Sequence, residues 1–207
     1  MPSGIYECIS KISDKIIENK DFLTELDREI GDSDHGINMA RGFQAVMEKL
    51  SPDESDIGAV LKKVGMTLLS KVGGASGPLY GTAYMEAGKV MAGKTEVNSD
   101  DMKLIFESAI AGIQKRGKAV KGEKTMLDAL IPASEKYSQK ISEGENLISA
   151  LESACESARE GVEFTKTIIA TKGRASYLGE RSIGHQDPGA TSATLTLEAI
   201  LNYMKAK

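Results

Sequence analysis

The chain has 207 residues, of which 41% are apolar and 27% charged, and its formal net charge is −4. A chain this long buries enough surface to form a core without disulfides or metal, and its composition excludes a disordered polymer. The negative balance argues against duplex nucleic acid as a partner, since neutralising phosphates needs a basic face.

Aromatic residues are 5% and Trp is absent, so the core must be built mainly of Leu, Ile, Val, Ala and Met. Cys8 and Cys155 stand alone, without CxxC or zinc spacing, and read as two buried thiols in a reducing compartment. The first twenty residues carry Glu7, Lys11, Asp14, Lys15, Glu18 and Lys20, unlike a secretory leader. No apolar run reaches the ~18 residues of a membrane span, so the expected location is the cytoplasm.

Eight apolar stripes follow one another at helical spacing. The first is Ile5, Cys8, Ile9, Ile12, Ile16, and the second Met39, Phe43, Val46, Met47, Leu50. Ser51-Pro52-Asp53 separates the second from the third, Ile57, Val60, Leu61, Val64, Leu68, Val72. Ser76-Gly77-Pro78 opens the fourth, Leu79, Ala83, Ala87, Val90, with Pro in its first turn. Ser99-Asp100-Asp101 is placed to cap the fifth, Leu104, Ile105, Ala109, Ile113, which Gly117 ends. The sixth is Met126, Leu127, Leu130, Ala133, Tyr137. The seventh runs from Leu147 through Leu151, Cys155, Ala158 and Val162 to Ile169, and the eighth is Ala193, Leu197, Ile200, Leu201, Met204. No stretch has a period-two pattern. The chain reads as all-α, a bundle of about eight helices with mostly antiparallel neighbours. No linker or fixed repeat divides it, so residues 1–207 read as one domain.

Three segments break the pattern: 26–38, 72–82 and 171–191. In the first, Asp27, Asp32 and Asp34 fall within eight positions. Carboxylates so close repel one another unless a cation lies among them. The set is hard oxygen, which favours Mg²⁺ or Ca²⁺ over zinc or copper, and it lacks the EF-hand register. The same residues also suit a solvated acidic turn capping the next helix. In the second, Gly73, Gly74 and Gly77 precede a helix and could bring backbone N–H groups to an anion, or serve only as a tight turn. The segment is neither a Walker loop, a dinucleotide fingerprint nor a nucleophile elbow. The third brings Arg174, Arg181, His185 and Asp187-Pro188-Gly189. Arg suits bidentate phosphate contact, though these Arg could simply pair with Glu180 or Asp187. Taken together, the three segments hold the parts of a Mg–nucleotide site without a P-loop.

The run Leu26-Asp27-Arg28-Glu29-Ile30-Gly31-Asp32-Ser33-Asp34-His35-Gly36-Ile37-Asn38-Met39 resembles the signature of the L subunits of dihydroxyacetone kinases. So do Val72–Thr82, Arg116-Gly117-Lys118, Gly122-Glu123-Lys124-Thr125-Met126, and Gly173–Ser182 continued by Gly184–Ser192. The resemblance implies an eight-helix antiparallel up-and-down barrel with a nucleotide at one end, held through two Mg²⁺ ions. By motif position, Asp27, Asp32 and Asp34 would be the metal ligands. His35, Gly36, Ile37, Asn38, Ala75, Ser76, Gly117, Met126, Arg174, Asp187, Pro188 and Gly189 would meet the nucleotide. Arg174, Asp32 and Asp34 would act in catalysis.

The implied activity is that of a phosphoenolpyruvate–glycerone phosphotransferase. The phosphoryl acceptor would be dihydroxyacetone bound on a separate K subunit, with ADP retained as a coenzyme and recharged to ATP in place by the phosphohistidine of an M subunit. The alternatives are a subunit using free ATP on a related short-chain ketose or polyol, and a non-catalytic nucleotide-binding module docking on a regulatory protein. A homo-oligomer is compatible with either.

Overall fold

The computed structural model describes residues 3–207, and among these it contains helices and no strand. The first seven are α1 (Gly4–Glu18), α2 (Lys20–Ile30), α3 (His35–Lys49), α4 (Ile57–Lys71), α5 (Ser76–Val90), α6 (Ser99–Gly117) and α7 (Leu127–Ser142). After α8 (Leu147–Thr165) comes a 3-10 segment, Arg174–Ser182, and then α9 (Pro188–Lys205). The eight stripes correspond to α1 and α3 through α9. The additional helix, α2, turns inward Leu23, Asp27 and Ile30. With a carboxylate in the middle of its buried face, it shows no apolar stripe.

The neighbour pairs close a ring: α1 packs on α3, each helix from α3 to α9 packs on the next, and α9 returns to α1. This is an antiparallel up-and-down barrel. α3, α5, α7 and α9 all start at one end, where α2 and the 3-10 segment lie against each other. Ile9, Ile12 and Ile16 of α1, Met39 and Phe43 of α3, and Val64 and Leu68 of α4 are buried in one core cluster. Phe106, Tyr137, Leu151 and Cys155 belong to a second, on the α6–α9 side. Each such side chain contributes about 1.5–3 kcal/mol by leaving water, so truncating Leu68 to Ala would cost about 2–5 kcal/mol.

α4 and α5 approach most closely through glycines seven residues apart on each helix. A Cβ on Gly65 would lie 2.6 Å from the Gly81 carbonyl oxygen, and one on Gly58 2.7 Å from that of Gly88. Inside the barrel lies an apolar cavity of about 400 Å³, bordered by Ile9, Leu61, Tyr84 and Ile200 among others. Cys8 also borders it and is half-buried, whereas Cys155 is buried; both thiols are free. Burial pushes the Cys8 thiol up to about 12 and the Cys155 thiol to about 11, so neither is a ready nucleophile.

Some boundaries differ from the sequence reading. α6 is capped not by Ser99 but by Asn98, which forms a reciprocal capping box with Asp101. Its left-handed terminal residue is Lys118, one position after Gly117. α8 ends at Thr165, and Ile169 at the end of the seventh stripe lies beyond it, 40% exposed. No described helix is long and apolar enough to cross a membrane.

Candidate functional site

The acidic turn joins α2 to α3. Asp27 lies in the last turn of α2, and residues 31–34 bend the chain back to begin α3 at His35. Gly31 is required by contact, since a Cβ there would sit 2.0 Å from Asp27 Oδ1. Ser33 takes φ 62°, a left-handed conformation uncommon outside glycine. The backbone N–H groups of Asp34 and His35 donate to Asp27 Oδ2 at 2.9 and 3.1 Å, locking the buried carboxylate into the turn. One ligand oxygen each from Asp27, Asp32 and Asp34 lies within 4.8 Å of the others. Three carboxylates at that separation suit a hard divalent cation, and the donor set fits Mg²⁺.

Facing this acid are helix starts. The up-and-down topology brings the first residues of α3, α5, α7 and α9 to one cavity of about 400 Å³. Each start presents partial positive charge and free N–H groups. α5 is the least encumbered: its N-cap, Ala75, makes no side-chain cap, whereas N–H groups at the starts of α3, α7 and α9 already donate to Asp27, Thr125 and Asp187 side chains. The glycines ahead of it are set by geometry: Gly74 has φ 64°, and a Cβ on Gly77 would lie 2.2 Å from the Val72 carbonyl oxygen. Cation-binding carboxylates opposite anion-attracting helix starts make an arrangement suited to a metal polyphosphate.

The third segment closes over the same cavity. Arg174, at the start of the 3-10 segment, pairs with Asp32 at 2.8 Å. Asp187 caps α9 by accepting from the Ala190 N–H at 2.7 Å, and burial raises its carboxyl to about 7. Lys124 holds the segment in place. Its side chain is buried, and Nζ donates to the carbonyls of Thr165 (2.5 Å), Ser182 (2.7 Å) and His185 (2.5 Å). That cation ties the end of α8, the 3-10 segment and the approach to α9 to one point beside Asp187. Burial lowers the Lys124 ammonium, against the pull of Asp187. Asp128, fully buried, accepts from the N–H groups of Gly122 and Thr125 and shapes the turn that carries Lys124.

Of the residues singled out in the sequence, Asp27, Asp32, Asp34, His35, Ala75, Ser76, Gly117, Met126, Arg174, Asp187, Pro188 and Gly189 all line this cavity. Gly36, Ile37 and Asn38 do not. Gly36 is pressed against α2, where a Cβ would lie 2.0 Å from the Lys20 carbonyl oxygen. Ile37 is half-exposed, and Asn38 accepts from Arg41 at 2.5 Å. His35 is buried between Ser76 and Ser192, at 3.0 Å from Nδ1 and 2.9 Å from Nε2. Burial holds its pKa below the usual histidine value, against Asp27 and Asp34. His185 remains outside, 4.0 Å from Glu29.

Sequence reasoning assigned no role to Lys124, Asp128, Tyr80 or Ser192. A Lys in a motif reads as a surface charge. The one available signal was its place in Gly122–Met126, one of the runs that carry the family resemblance.

Residues 29–202 match the family model described as the DAK2 domain. The chain is 45% identical over 197 residues to the ADP-binding subunit DhaL of the PEP-dependent dihydroxyacetone kinase of Escherichia coli (strain K12), covering 95% of this chain and 94% of that one. It is 42% identical to the ADP-binding subunit DhaL of the PTS-dependent dihydroxyacetone kinase of Lactococcus lactis subsp. lactis (strain IL1403), over 96% and 95% of the two chains. In fold it resembles the crystal structure of the C. freundii dihydroxyacetone kinase in complex with AMP-PNP and Mg²⁺. The TM-score is 0.72 at 21% identity, over 98% of this chain and 34% of that one. Its family match, its near full-length relatives and its helical barrel agree: the chain belongs to the DAK2 domain family.

Proposed function

We propose that this chain is the nucleotide-carrying subunit of a dihydroxyacetone kinase, forming one nucleotide-binding domain that works in the cytoplasm. The observation that carries the reading is the apposition of three Asp carboxylates to four helix starts across one cavity. Asp27, Asp32 and Asp34 would hold Mg²⁺, two ions in the reading from resemblance, which when bound neutralises charge on the nucleotide phosphates. The free N–H groups at the start of α5, with Ser76, meet phosphate oxygens. Arg174, now paired with Asp32, has the planar fork to bind the transferring phosphoryl group. Met126 and Gly117 form apolar wall, suited to the rest of the nucleotide. The protein's contribution to phosphoryl transfer is positioning and charge compensation, with no covalent step of its own.

The acceptor is dihydroxyacetone held on a separate K subunit, and an M subunit recharges bound ADP in place. Two features support a retained coenzyme. The related subunits are named as ADP-binding and as PEP- or PTS-dependent. Release of a metal diphosphate would also leave three close carboxylates with only the Arg174–Asp32 pair to offset their repulsion.

The test has two parts. Mass analysis of freshly purified protein should find ADP, and calorimetry should show that its binding needs Mg²⁺. With the K subunit added, phosphoenolpyruvate plus the phosphotransferase proteins should sustain dihydroxyacetone phosphate formation, while ATP alone gives little turnover. Rapid multiple turnover on ATP alone would replace this reading with that of a directly ATP-using kinase.

A further inference from the structure

Behind Ser76 runs a buried line of hydrogen bonds that the metal and phosphate contacts do not use. Ser76 Oγ lies 3.0 Å from His35 Nδ1, and His35 Nε2 lies 2.9 Å from Ser192 Oγ. Ser192 Oγ in turn lies 2.7 Å from the Tyr80 hydroxyl. Tyr80, Ser192 and His35 are all buried, at 4%, 0% and 7% exposure, while Ser76 lines the cavity. The line joins three helices, α3, α5 and α9.

We propose that Tyr80 and Ser192 are positioning residues for the nucleotide: they place the ring proton of His35 on Nδ1 and so turn the hydroxyl proton of Ser76 toward the phosphate. The inference rests on the nucleotide reading above. A phosphate oxygen can only accept, so a Ser76 hydroxyl that bonds it must donate. Ser76 can then only accept from His35, which puts the ring proton on Nδ1. Nε2 is left as an acceptor; the Pro188 carbonyl also faces the ring but has no proton to give, so the donor to Nε2 is the Ser192 hydroxyl. Tyr80 must then donate to Ser192. Every proton in the line points the same way, from Tyr80 to the ligand.

Ser192 has a second choice, because its hydroxyl also reaches the Gly189 carbonyl at 3.1 Å. If it donates there, it is free to accept from Nε2–H, the ring proton moves to the far nitrogen, and Ser76 must donate inward. A lone pair would then face the phosphate. The Tyr80 hydroxyl biases this choice. In the second arrangement Ser192 would have to accept from both Tyr80 and Nε2–H. An oxygen that already accepts one hydrogen bond is a poorer acceptor of another and a better donor, so the Tyr80 proton favours Ser192 as donor to the ring.

The chain has only two histidines, His35 and His185, so the ring can be observed directly. Long-range ¹H–¹⁵N correlation spectra of ¹⁵N-histidine-labelled protein with ADP and Mg²⁺ distinguish the proton-bearing ring nitrogen, and His185→Asn identifies which signals are those of His35. The proton is expected on Nδ1. Tyr80→Phe, which keeps the ring and removes the hydroxyl, should shift the signals toward the Nε2-bearing tautomer and weaken ADP binding roughly 3- to 10-fold. In a Ser76→Ala background Tyr80→Phe should add nothing, because its path to the ligand is already cut. Ser192→Ala provides the same cycle from the next position in the line. A His35 proton on Nε2 in the parent complex overturns the inference alone. So does an equal penalty from Tyr80→Phe with and without Ser76. A parent that binds no ADP overturns the nucleotide reading and this inference with it.

Discussion

The cavity at the helix starts is lined by Asp27, Asp32, Asp34, Arg174 and Asp187, whereas the one inside the barrel is lined by Ile9, Leu61, Tyr84 and Ile200, yet Tyr80, Ile113 and Met126 stand in the wall of both. The inner cavity is made by the faces of helices, the outer one by their beginnings and by the turns that join them. Faces repeat every three or four residues and bury apolar surface. Beginnings carry unpaired N–H groups and partial charge. One antiparallel topology produces both, since starting every second helix at the same end gathers the starts while the faces close the ring.

The largest expected effect breaks the outer cavity alone. Asp34→Asn keeps the shape of the turn and removes one charge facing the cation. Phosphoryl transfer with both partner subunits should fall on the order of 100-fold or more. Calorimetry should show much weaker ADP binding, with the helical circular dichroism unchanged. An Asn variant that binds ADP as tightly as the parent would dismiss the three-carboxylate metal site.

A second test uses the half-buried Asp187. Its folded carboxyl lies at about 7, raised mainly by burial from 3.8. The folded state thus holds a proton that the unfolded state has already lost between those values. Its contribution to stability is fully present below about pH 4 and is lost as pH rises through about 7. Asn retains the N-cap but does not titrate. In metal-free, nucleotide-free protein, the parent should therefore lose melting temperature relative to Asp187→Asn from pH 4 to 7, at a slope of at most about 1.4 kcal/mol per pH unit. Parallel melting curves across that window would place the carboxyl near its ordinary value.

Arg174→Lys asks for less. Lys keeps the charge but not the planar fork, so transfer should slow on the order of 10-fold at saturating partners. ADP affinity should change less than the rate. An unchanged rate would leave Arg174 as a residue that orders the loop by pairing with Asp32.

How far each region could be read from sequence follows from the same contrast. The barrel was legible because Ile9, Ile12 and Ile16, or Val60, Val64 and Leu68, repeat at the helical period. α2 was not, because its inward face carries Asp27 between Leu23 and Ile30. The acidic turn was legible as a dense run of like charges. Gly65 and Gly81 were not singled out, since close approach of α4 and α5 has no signature in either helix alone. Lys124 and Ser192 escaped for a related reason. A side chain whose partners lie 41 to 61 residues away for Lys124, and 112 and 157 for Ser192, acquires its role only when the ring closes.

The smallest expected effect lies at the far end of the barrel. Asn98 caps α6 there, accepting from the Asp101 N–H at 2.8 Å while Asp101 accepts from the Asn98 N–H at 3.2 Å. Asp101 also pairs with Lys94 at 2.5 Å, so its charge stays partnered when the cap is lost. Asn98→Ala should cost about 1 kcal/mol, which lowers the melting temperature by about 2–4 °C in a chain of this size. α6 ends at Gly117, on the rim of the cavity at the helix starts, so the same helix reaches both ends. If the ends are energetically separate, the variant should bind ADP as the parent does while melting earlier. Weakened ADP binding with intact helical content would show instead that strain at the start of α6 travels its length, and that the two ends of the barrel respond as one body.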